Sequence, residues 1–291
     1  MGEENNNNNN KENSFRYSCL MSVYKEEKPS FLDLSLQSME SQTVPPCEYI
    51  LMLDGPIGNE LQAIIDHHQQ KMGHILQTIQ LERNLGLHGS LRIGVEQCSY
   101  EWIARMDTDD YSDPHRIEHQ KNFLTNHPNY DVIGTLCTEF IESPSHPICL
   151  VQLPETDMEI RKFAKLRNPC RHPSILFRKS AVLEAGNYQN YPYFEDYDLF
   201  VRMLMRGSKF YNIQEPLVSM RVNEDFYSRR GGWPYTKDMV DFRWHLHKLG
   251  FLSTSQALKG IILHSTVCLV PNGLREWAYK KLLRKRINTN H

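Results

Sequence analysis

Three aspartates that follow a short apolar run are the strongest chemical signal in the sequence. Asp107, Asp109 and Asp110 come directly after residues 102–106, whose types favour a buried strand. In an open α/β sheet, ligands bind at the carboxyl ends of strands. Carboxylates in that place suit a hard divalent cation that also contacts substrate phosphates. The pattern therefore indicates a metal–diphosphate site, although a solvated turn that caps the next helix would have the same local sequence.

A second acidic pair opens a candidate helix. Glu195 and Asp196 precede apolar residues at helical spacing within 199–204. A positioned carboxylate can act as a general base toward a hydroxyl group. Two acidic side chains at a helix start are also favoured by the helix dipole alone. The sequence leaves both interpretations open.

Two further segments are candidates for contacts with a nucleotide diphosphate. Asp54 ends the apolar run 49–53 and precedes Gly55, so it could accept hydrogen bonds from a base or ribose, or simply form an Asp-Gly turn. In the segment 83–92, two glycines at a helix start would let backbone approach a diphosphate. The absence of G-x-G-x-x-G from that segment counts against a dinucleotide fingerprint, and a plain loop before a helix is the alternative. The residues of interest there are Asn84, Gly86, Gly89 and Arg92.

Basic side chains in two other segments are candidates for acceptor or phosphate contacts. His172 precedes a predicted strand, where a structural loop histidine would look the same. Arg221 is followed by the pair Arg229 and Arg230, which stands directly before two glycines. This pattern is typical of an anion-binding loop but also of a solvated basic loop.

The bulk properties narrow the class of protein. The 291 residues are 40% hydrophobic and 23% charged, which is ordinary for one large or two small globular domains. The net charge of −2 gives no reason to expect nucleic acid. The seven cysteines contain no C-x-x-C pair, so zinc-site spacing is absent and reduced, structural thiols are expected. We find no secretory signal and no apolar run near the ~20 residues needed to cross a bilayer.

Alternating strand and helix patterns must position these residues. Residues 1–14 contain six consecutive asparagines and are predicted to be disordered. Strands are predicted at 17–24, 49–53, 75–81, 102–106, 130–136 and 174–178. Helices are predicted at 29–42, 59–72, 89–96, 179–185 and 196–206, with another opening at Asp113-Pro114. Such alternation implies βαβ units and a mainly parallel sheet, and the chain after about residue 229 is predicted to be helical and basic.

In order and spacing, the motifs together resemble inverting glycosyltransferases of family 2, which have the GT-A fold. The resemblance covers about residues 17–230, and the C-terminal part is similar to the bacterial capsular and exopolysaccharide (amylovoran-type) subgroup. It implies a Rossmann-like, mainly parallel mixed sheet flanked by helices in 15–230, with a helical extension in 231–291. The matching elements are Ser22-Val23-Tyr24, Leu53-Asp54-Gly55, Asn84 to Gly89, Asp107 to Asp110, His172-Pro173-Ser174 and Glu195-Asp196.

The resemblance also implies residue roles. Asp54 would contact the uracil or ribose of a UDP-sugar, and Asp109, with Asp107, would bind Mn²⁺ or Mg²⁺. Asp196 would be the catalytic base, and Glu195 would shape the site for a lipid-linked glycan acceptor used in capsule, exopolysaccharide or O-antigen synthesis. Further donor contacts are implied for Ser22, Tyr24, Asn84, Gly86, Gly89, Arg92 and Thr108.

Two departures from the family pattern concern the donor site. A single Asp54 stands where the family usually has two acidic residues, and Leu91 and Ile93 replace small or amide residues. One alternative is a non-catalytic protein that binds nucleotide sugar or glycan. Another is a sugar nucleotidyltransferase, although residues 22–29 lack the glycine-rich loop usual in that class.

The C-terminal segment 271–286 is predicted to form an amphipathic helix. Leu274, Trp277 and Tyr279 interleave with six basic residues, which favours peripheral binding to an anionic membrane. The alternative is a helix packed on the domain. We expect a cytoplasmic protein at the inner face of the cell membrane.

Overall fold

One mixed sheet of ten strands organises residues 15–223, 232–269 and 285–286, the part of the chain that the computed structural model describes. Its first half is parallel, in the order β3–β2–β1–β4, and helices connect successive strands. The strands are β1 (Tyr17–Val23), β2 (Glu48–Leu53), β3 (Leu76–Gln80) and β4 (Trp102–Arg105). The connecting helices are α1 (Pro29–Glu40), α2 (Asn59–Met72) and α3 (Gly86–Gln97).

The second half of the sheet is mixed. Next to β4 lies antiparallel β8, then β6, which pairs in parallel with the long strand β9. The strands are β5 (Tyr111–Ser112), β6 (Val132–Phe140), β7 (Cys149–Val151), β8 (Leu176–Arg178), β9 (Phe210–Arg221) and β10 (Lys285–Arg286). The helices are α4 (Arg116–Asn126), α5 (Asp157–Phe163), α6 (Lys179–Glu184), α7 (Glu195–Met205), α8 (Gly232–Lys248) and α9 (Thr254–Leu269).

The apolar patterns in the sequence form the core. All six residues of β2 are buried, as expected for a parallel strand covered on both faces. On α1, the predicted inward positions Leu32, Leu36 and Met39 are fully buried. Gly94 lets α3 approach the sheet closely, because a Cβ there would lie 2.5 Å from Leu20 Cδ1. The predicted sheet flanked by helices is confirmed.

Two predicted helix starts are wrong. The helix predicted at Asp113-Pro114 begins at Arg116, because Asp113 forms a preceding turn in which its Oδ1 accepts from His115 N at 2.9 Å. The helix predicted from Gly89 begins at Gly86. The side chains that accept hydrogen bonds from the first N–H groups of this helix are not part of the local apolar pattern, so that pattern does not reveal where the helix begins.

The C-terminal helices pack on the sheet domain. Met239, Phe242 and Leu246 of α8 are buried, and Phe242 and Leu246 belong to the main core cluster, so the helical prediction for this region is confirmed. The prediction that the helix extends to residue 286 is wrong at its end. There Lys285–Arg286 forms a short antiparallel strand that hydrogen-bonds to β7 at the edge of the sheet. The rest of that prediction, the tail 1–14, and Arg229 and Arg230 lie outside the described residues. No helix among the described residues is both long and apolar enough to cross a membrane.

All seven cysteines are free thiols, as the spacing predicted. Cys47 is half-buried and the other six are buried. Burial raises the pKa of the Cys19, Cys98 and Cys137 thiols to about 12. These cysteines therefore serve packing in the described structure.

Candidate active site

The carboxyl ends of three parallel strands bring the donor-side candidates to one edge of the sheet. Ser22 lies at the end of β1, Asp54 directly follows β2, and Asp107 lies two residues beyond β4. The parallel register pairs Val23 with Leu53 and Leu20 with Arg105. Strands β1 and β2 therefore end level, whereas β4 ends about three residues short of the end of β1, and Asp107 follows at the same edge. This is the edge at which ligands bind in such sheets.

The acidic cluster has the donor atoms of a cation site. Carboxylate oxygens of Asp107, Asp109 and Asp110 all lie within 4.8 Å of one another. Burial and the charge of Asp107 raise the pKa of Asp109 to about 7. Burial and the two neighbouring carboxylates raise the pKa of Asp110 as well. A divalent cation would offset this repulsion, so the residues fit a hard cation with oxygen ligands.

The three aspartates are not equivalent. Asp110 is 3% exposed and accepts a hydrogen bond from the backbone N–H of Arg221 at 2.7 Å, which makes it an anchor for the loop. Asp107 and Asp109 are half-buried. These two carboxylates are therefore the ones that can face a ligand.

Arg105 is a site residue that carried no role in the sequence analysis. Its side chain is fully buried at the end of β4 and forms an ion pair with Asp107. Burial, the largest influence, raises the pKa of Asp109 and Glu195 and lowers that of His172. The positive charge of Arg105 opposes the rise for the two carboxyl groups and adds to the fall for the histidine. Arg105 thus lies within electrostatic reach of both the acidic cluster and the acidic pair. An arginine inside an apolar four-residue strand was the signal that could have revealed it.

The aspartate loop is held from the α1 side. Ser35 Oγ donates to the carbonyl oxygen of Asp107 at 2.6 Å. Thr108, a predicted donor contact, donates its hydroxyl to Glu27 Oε2 at 2.7 Å and is 4% exposed. The structure therefore gives Thr108 a role in shaping the loop, and Glu27 a place beside the cluster that the sequence did not indicate.

Arg221 holds the same loop from the β9 side. Its Nε donates to the carbonyl oxygen of Asp109 at 3.0 Å, and its Nη1 donates to that of Ile141 at 3.0 Å. The guanidinium lies 3.8 Å from the ring centroid of Phe31. Arg221 was predicted to contact acceptor or phosphate, and in the structure it fastens the aspartate loop to the end of β6.

Asp54 and Asn84 cap the start of α3. Asp54 Oδ1 accepts from the backbone N–H of Leu85 at 2.7 Å, and Asn84 Oδ1 accepts from that of Gly86 at 3.0 Å. Gly55 has a φ of +86°, and a Cβ there would lie 2.7 Å from Asn84 N. The Asp-Gly turn and the loop before α3 therefore pack as one unit beside the strand ends.

The remaining donor-side candidates surround that unit. Ser22 Oγ shares a hydrogen bond of 2.7 Å with Ser90 Oγ, which ties β1 to α3. Gly89 lies against Leu85, since a Cβ there would be 2.7 Å from Leu85 Cβ. Tyr24 lies just beyond β1 and is 43% exposed.

The acidic pair begins α7, as predicted. Asn168 Nδ2 donates to Asp196 Oδ2 at 2.6 Å, and the backbone N–H of Tyr197 donates to Asp196 Oδ1 at 2.7 Å. Burial and the charge of Asp196 raise the pKa of Glu195 to about 7, and Asp107 contributes to this shift. Burial likewise raises the pKa of Asp196. The pair therefore lies within electrostatic reach of the aspartate loop and retains a proton more readily than exposed carboxylates.

His172 lies beneath the site. Its Nε2 forms a hydrogen bond of 2.7 Å with the hydroxyl of Tyr188, and burial together with the charge of Arg105 lowers its pKa. Arg92, which is predicted to contact the sugar donor, forms hydrogen bonds to the carbonyl oxygens of Gly186 and Tyr188 at 3.2 and 3.0 Å. Both side chains therefore support the segment around Tyr188 in the structure.

Comparison with known proteins identifies the fold and the family. Residues 18–183 match the model of Glycosyl transferase family 2, which is more than half of the chain. The chain belongs to this family. It is 31% identical over 270 residues to a UDP-Gal:alpha-D-GlcNAc-diphosphoundecaprenol beta-1,3-galactosyltransferase of Escherichia coli, covering 93% of this chain and 97% of the relative. It is 32% identical over 268 residues to the amylovoran biosynthesis glycosyltransferase AmsE of Erwinia amylovora, covering 91% and 98%.

Solved glycosyltransferase structures share the fold. S. aureus TarS 1–349 in complex with UDP-GlcNAc superposes with a TM-score of 0.61 at 15% identity, over 80% of this chain and 66% of that chain. Mannosyltransferase PcManGT of Pyrobaculum calidifontis, in complex with GDP-Man and Mn²⁺, gives 0.59 at 12% identity, over 89% and 71%. The predicted GT-A fold, family and glycosyltransferase class are confirmed. Family members generally use a divalent metal, which agrees with the acidic cluster of this family 2 enzyme.

Proposed function

We propose that this enzyme transfers a hexose from a UDP-sugar to a hydroxyl of a lipid-linked glycan and inverts the anomeric configuration. The observation that carries the proposal is the presence of two acidic groups that both lie within electrostatic reach of buried Arg105. One group, at the strand ends, suits a metal-bound diphosphate, and the other, at the start of α7, suits an acceptor hydroxyl. The E. coli relative, whose name gives a UDP-Gal donor and a diphosphoundecaprenol-linked acceptor, supports this kind of substrate. The E. amylovora relative supports a glycosyltransferase activity.

On the donor side, Asp107 and Asp109 would hold Mn²⁺ or Mg²⁺. The bound ion would supply positive charge to the diphosphate of the leaving UDP. Asp54 and Ser22, at the neighbouring strand ends, would contact the nucleoside. The backbone around Gly86 and Gly89, with Asn84 and Arg92, would border the diphosphate, and Tyr24 and Thr108 would complete the donor side.

On the acceptor side, Asp196 would take the proton from the attacking hydroxyl. The acceptor oxygen then forms a bond to the anomeric carbon while the bond from that carbon to the UDP oxygen breaks. Attack from the face opposite the leaving group inverts the configuration. The hydrogen bonds from Asn168 and the Tyr197 backbone orient the Asp196 carboxylate, while Glu195 shapes the acceptor site. His172 and Arg221 would border it.

Contact with the cytoplasmic membrane surface would bring the enzyme to such an acceptor. On α9, Leu258, Ile262 and Leu263 are 49%, 68% and 48% exposed, and the spacing of Leu258 and Ile262 places them on one helix face. The basic segment 271–286 follows in the sequence. Exposed apolar side chains beside basic residues favour binding to anionic lipids.

The test is release of UDP from a panel of UDP-sugars by the full-length protein. Each donor is incubated with a GlcNAc-diphospho-lipid acceptor, with Mn²⁺ or with EDTA, and Asp196→Asn is the matched inactive variant. We expect one donor to be consumed, with turnover lost in EDTA. UDP binding with no turnover of any donor would instead favour a non-catalytic binding protein. Release of pyrophosphate from UTP and a sugar phosphate would favour a nucleotidyltransferase.

A further inference from the structure

A histidine of α8 contacts the helix that carries the acidic pair. His245 Nε2 lies 2.8 Å from Asp198 Oδ1, and the Asp198 side chain is fully buried. Asp198 is one helical turn beyond Glu195 on α7, so the two share a helix face. An ionised carboxylate can only accept hydrogen bonds, so His245 donates from Nε2.

The same carboxylate fixes the turn before α7. Asp198 Oδ2 accepts from Arg202 Nε at 2.8 Å. Arg202 Nη2 then donates to the carbonyl oxygen of Asn187 at 2.8 Å, and its Nη1 donates to that of Ala185. The turn that leads to Tyr188 is therefore bound to α7 through one buried ion pair.

The other side of the histidine ring holds the residues just before the acidic pair. His245 Nδ1 forms a hydrogen bond of 2.9 Å with the Tyr191 hydroxyl, and the two rings stack with centroids 4.2 Å apart. The carbonyl oxygen of Tyr191 accepts from the backbone N–H of Phe194 at 2.8 Å. Between them, Tyr193 has a φ of +67°, a left-handed backbone conformation that is strained for a non-glycine residue.

We infer that His245 is a positioning residue for the acidic pair, acting through Asp198 and Tyr191. One ring thus fastens the segment 185–194 both to α7 and to α8. The strained backbone at Tyr193 needs such support if Glu195 is to keep its direction. The inference rests on the proposed function only for its effect on turnover. Helix α8 is then part of the acceptor side of the active site.

The experiment compares His245→Phe with His247→Phe in the full-length protein. Phenylalanine at 245 keeps an aromatic ring on Tyr191 and removes both hydrogen bonds. His247 is a matched control, because it lies on the same helix and its Nδ1 bonds the carbonyl oxygen of Leu252. Amide hydrogen exchange, followed by mass spectrometry, should be about fivefold faster across residues 185–194 in His245→Phe alone. Equal exchange in the two variants would overturn the inference whether or not the enzyme is active.

The second measurement is turnover with the UDP-sugar that the donor panel identifies. His245→Phe should lower kcat about 10- to 100-fold, because the base is displaced, while KM for the UDP-sugar stays within about twofold. Tyr191→Phe, which removes one hydroxyl, covers the case in which His245→Phe fails to fold, and it should lower kcat in the same direction. His245→Gln, which retains a donor toward Asp198, should recover part of the loss. A rise in KM for the donor with kcat unchanged would contradict a positioning role.

Discussion

The donor and acceptor sides of the active site are built in different ways. On the donor side, Ser22, Asp54 and Asp107 each follow a parallel strand, so the sheet alone places them together. On the acceptor side, the acidic pair depends on contacts from distant segments, among them Asn168 and His245. The comparison suggests that the donor site tolerates substitutions around it, whereas the acceptor site is sensitive to changes at its supports.

The largest effect should come from the donor side itself. Asp109→Asn removes a charged ligand from the acidic cluster and should lower turnover on the order of 10³-fold. It should also weaken binding of UDP in Mn²⁺, measured by calorimetry. Asp113→Asn is the control, since it makes the same change further along the loop. Turnover of Asp109→Asn within tenfold of wild type would mean that this carboxylate does not hold the metal.

The next effect separates the two sides. Asp196→Asn should lower kcat about 10²- to 10⁴-fold, the usual contribution of a general base, and leave UDP binding unchanged. Asp66→Asn, on the exposed face of α2, is the control for the loss of one acidic charge. If Asp196→Asn weakens UDP binding as strongly as Asp109→Asn does, then the two sides are not separable.

The pH dependence should report the acidic pair. Burial and the charge of Asp196 raise the pKa of Glu195 to about 7, and burial raises the pKa of Asp196. A general base acts only when it is unprotonated. At saturating Mn²⁺, kcat should therefore fall toward acidic pH by up to about tenfold per pH unit, and the fall should begin at a higher pH than the protonation of an exposed aspartate would give. Glu195→Gln removes a like charge beside Asp196, so this acidic limb should move to lower pH. A limb that stays in place would place the titrating group elsewhere.

The smallest effect concerns the support of the donor side. Asp54→Ala removes the acceptor of the Leu85 N–H and should lower Tm by about 2–4 °C, as the loss of a helix cap of ~1 kcal/mol would. KM for the UDP-sugar should rise about fivefold. Thr156→Ala removes the capping box of α5, away from the site, and should lower Tm similarly with KM unchanged. A KM shift shared by both variants would show that stability, and not position, accounts for it.

Local patterns in the sequence predict the donor side well. The alternation of β1 to β4 with α1 to α3 follows apolar periodicity, and the site residues follow the strands directly. Strand β9 was missed because Gln214, Glu215 and Pro216 interrupt its apolar pattern. It forms nevertheless by pairing with β6, with a register shift around Leu136 opposite Pro216. Pairing between distant segments has no local signature.

The acceptor side was predicted in its chemistry but not in its construction. Glu195 and Asp196 stand out as an acidic pair at a helix start, whereas the sequence predicted no role for Asp198. Its partner His245 lies 47 positions away in a segment expected to be an appendage. The packing of Phe242 against Phe194, with stacked rings 4.6 Å apart, and against Tyr197 brings α8 to α7.

The burial of the thiols makes one cysteine different from the rest. Cys47 is half-buried, while the others are buried, several with raised pKa values that keep them in the unreactive thiol form. A maleimide dye should therefore attach to Cys47 first. This residue precedes β2, whose other end leads to Asp54, and a six-residue strand spans about 20 Å. The native sequence thus offers a fluorescent labelling position at the opposite end of the strand from the nucleotide, suited to following vesicle binding while the enzyme works.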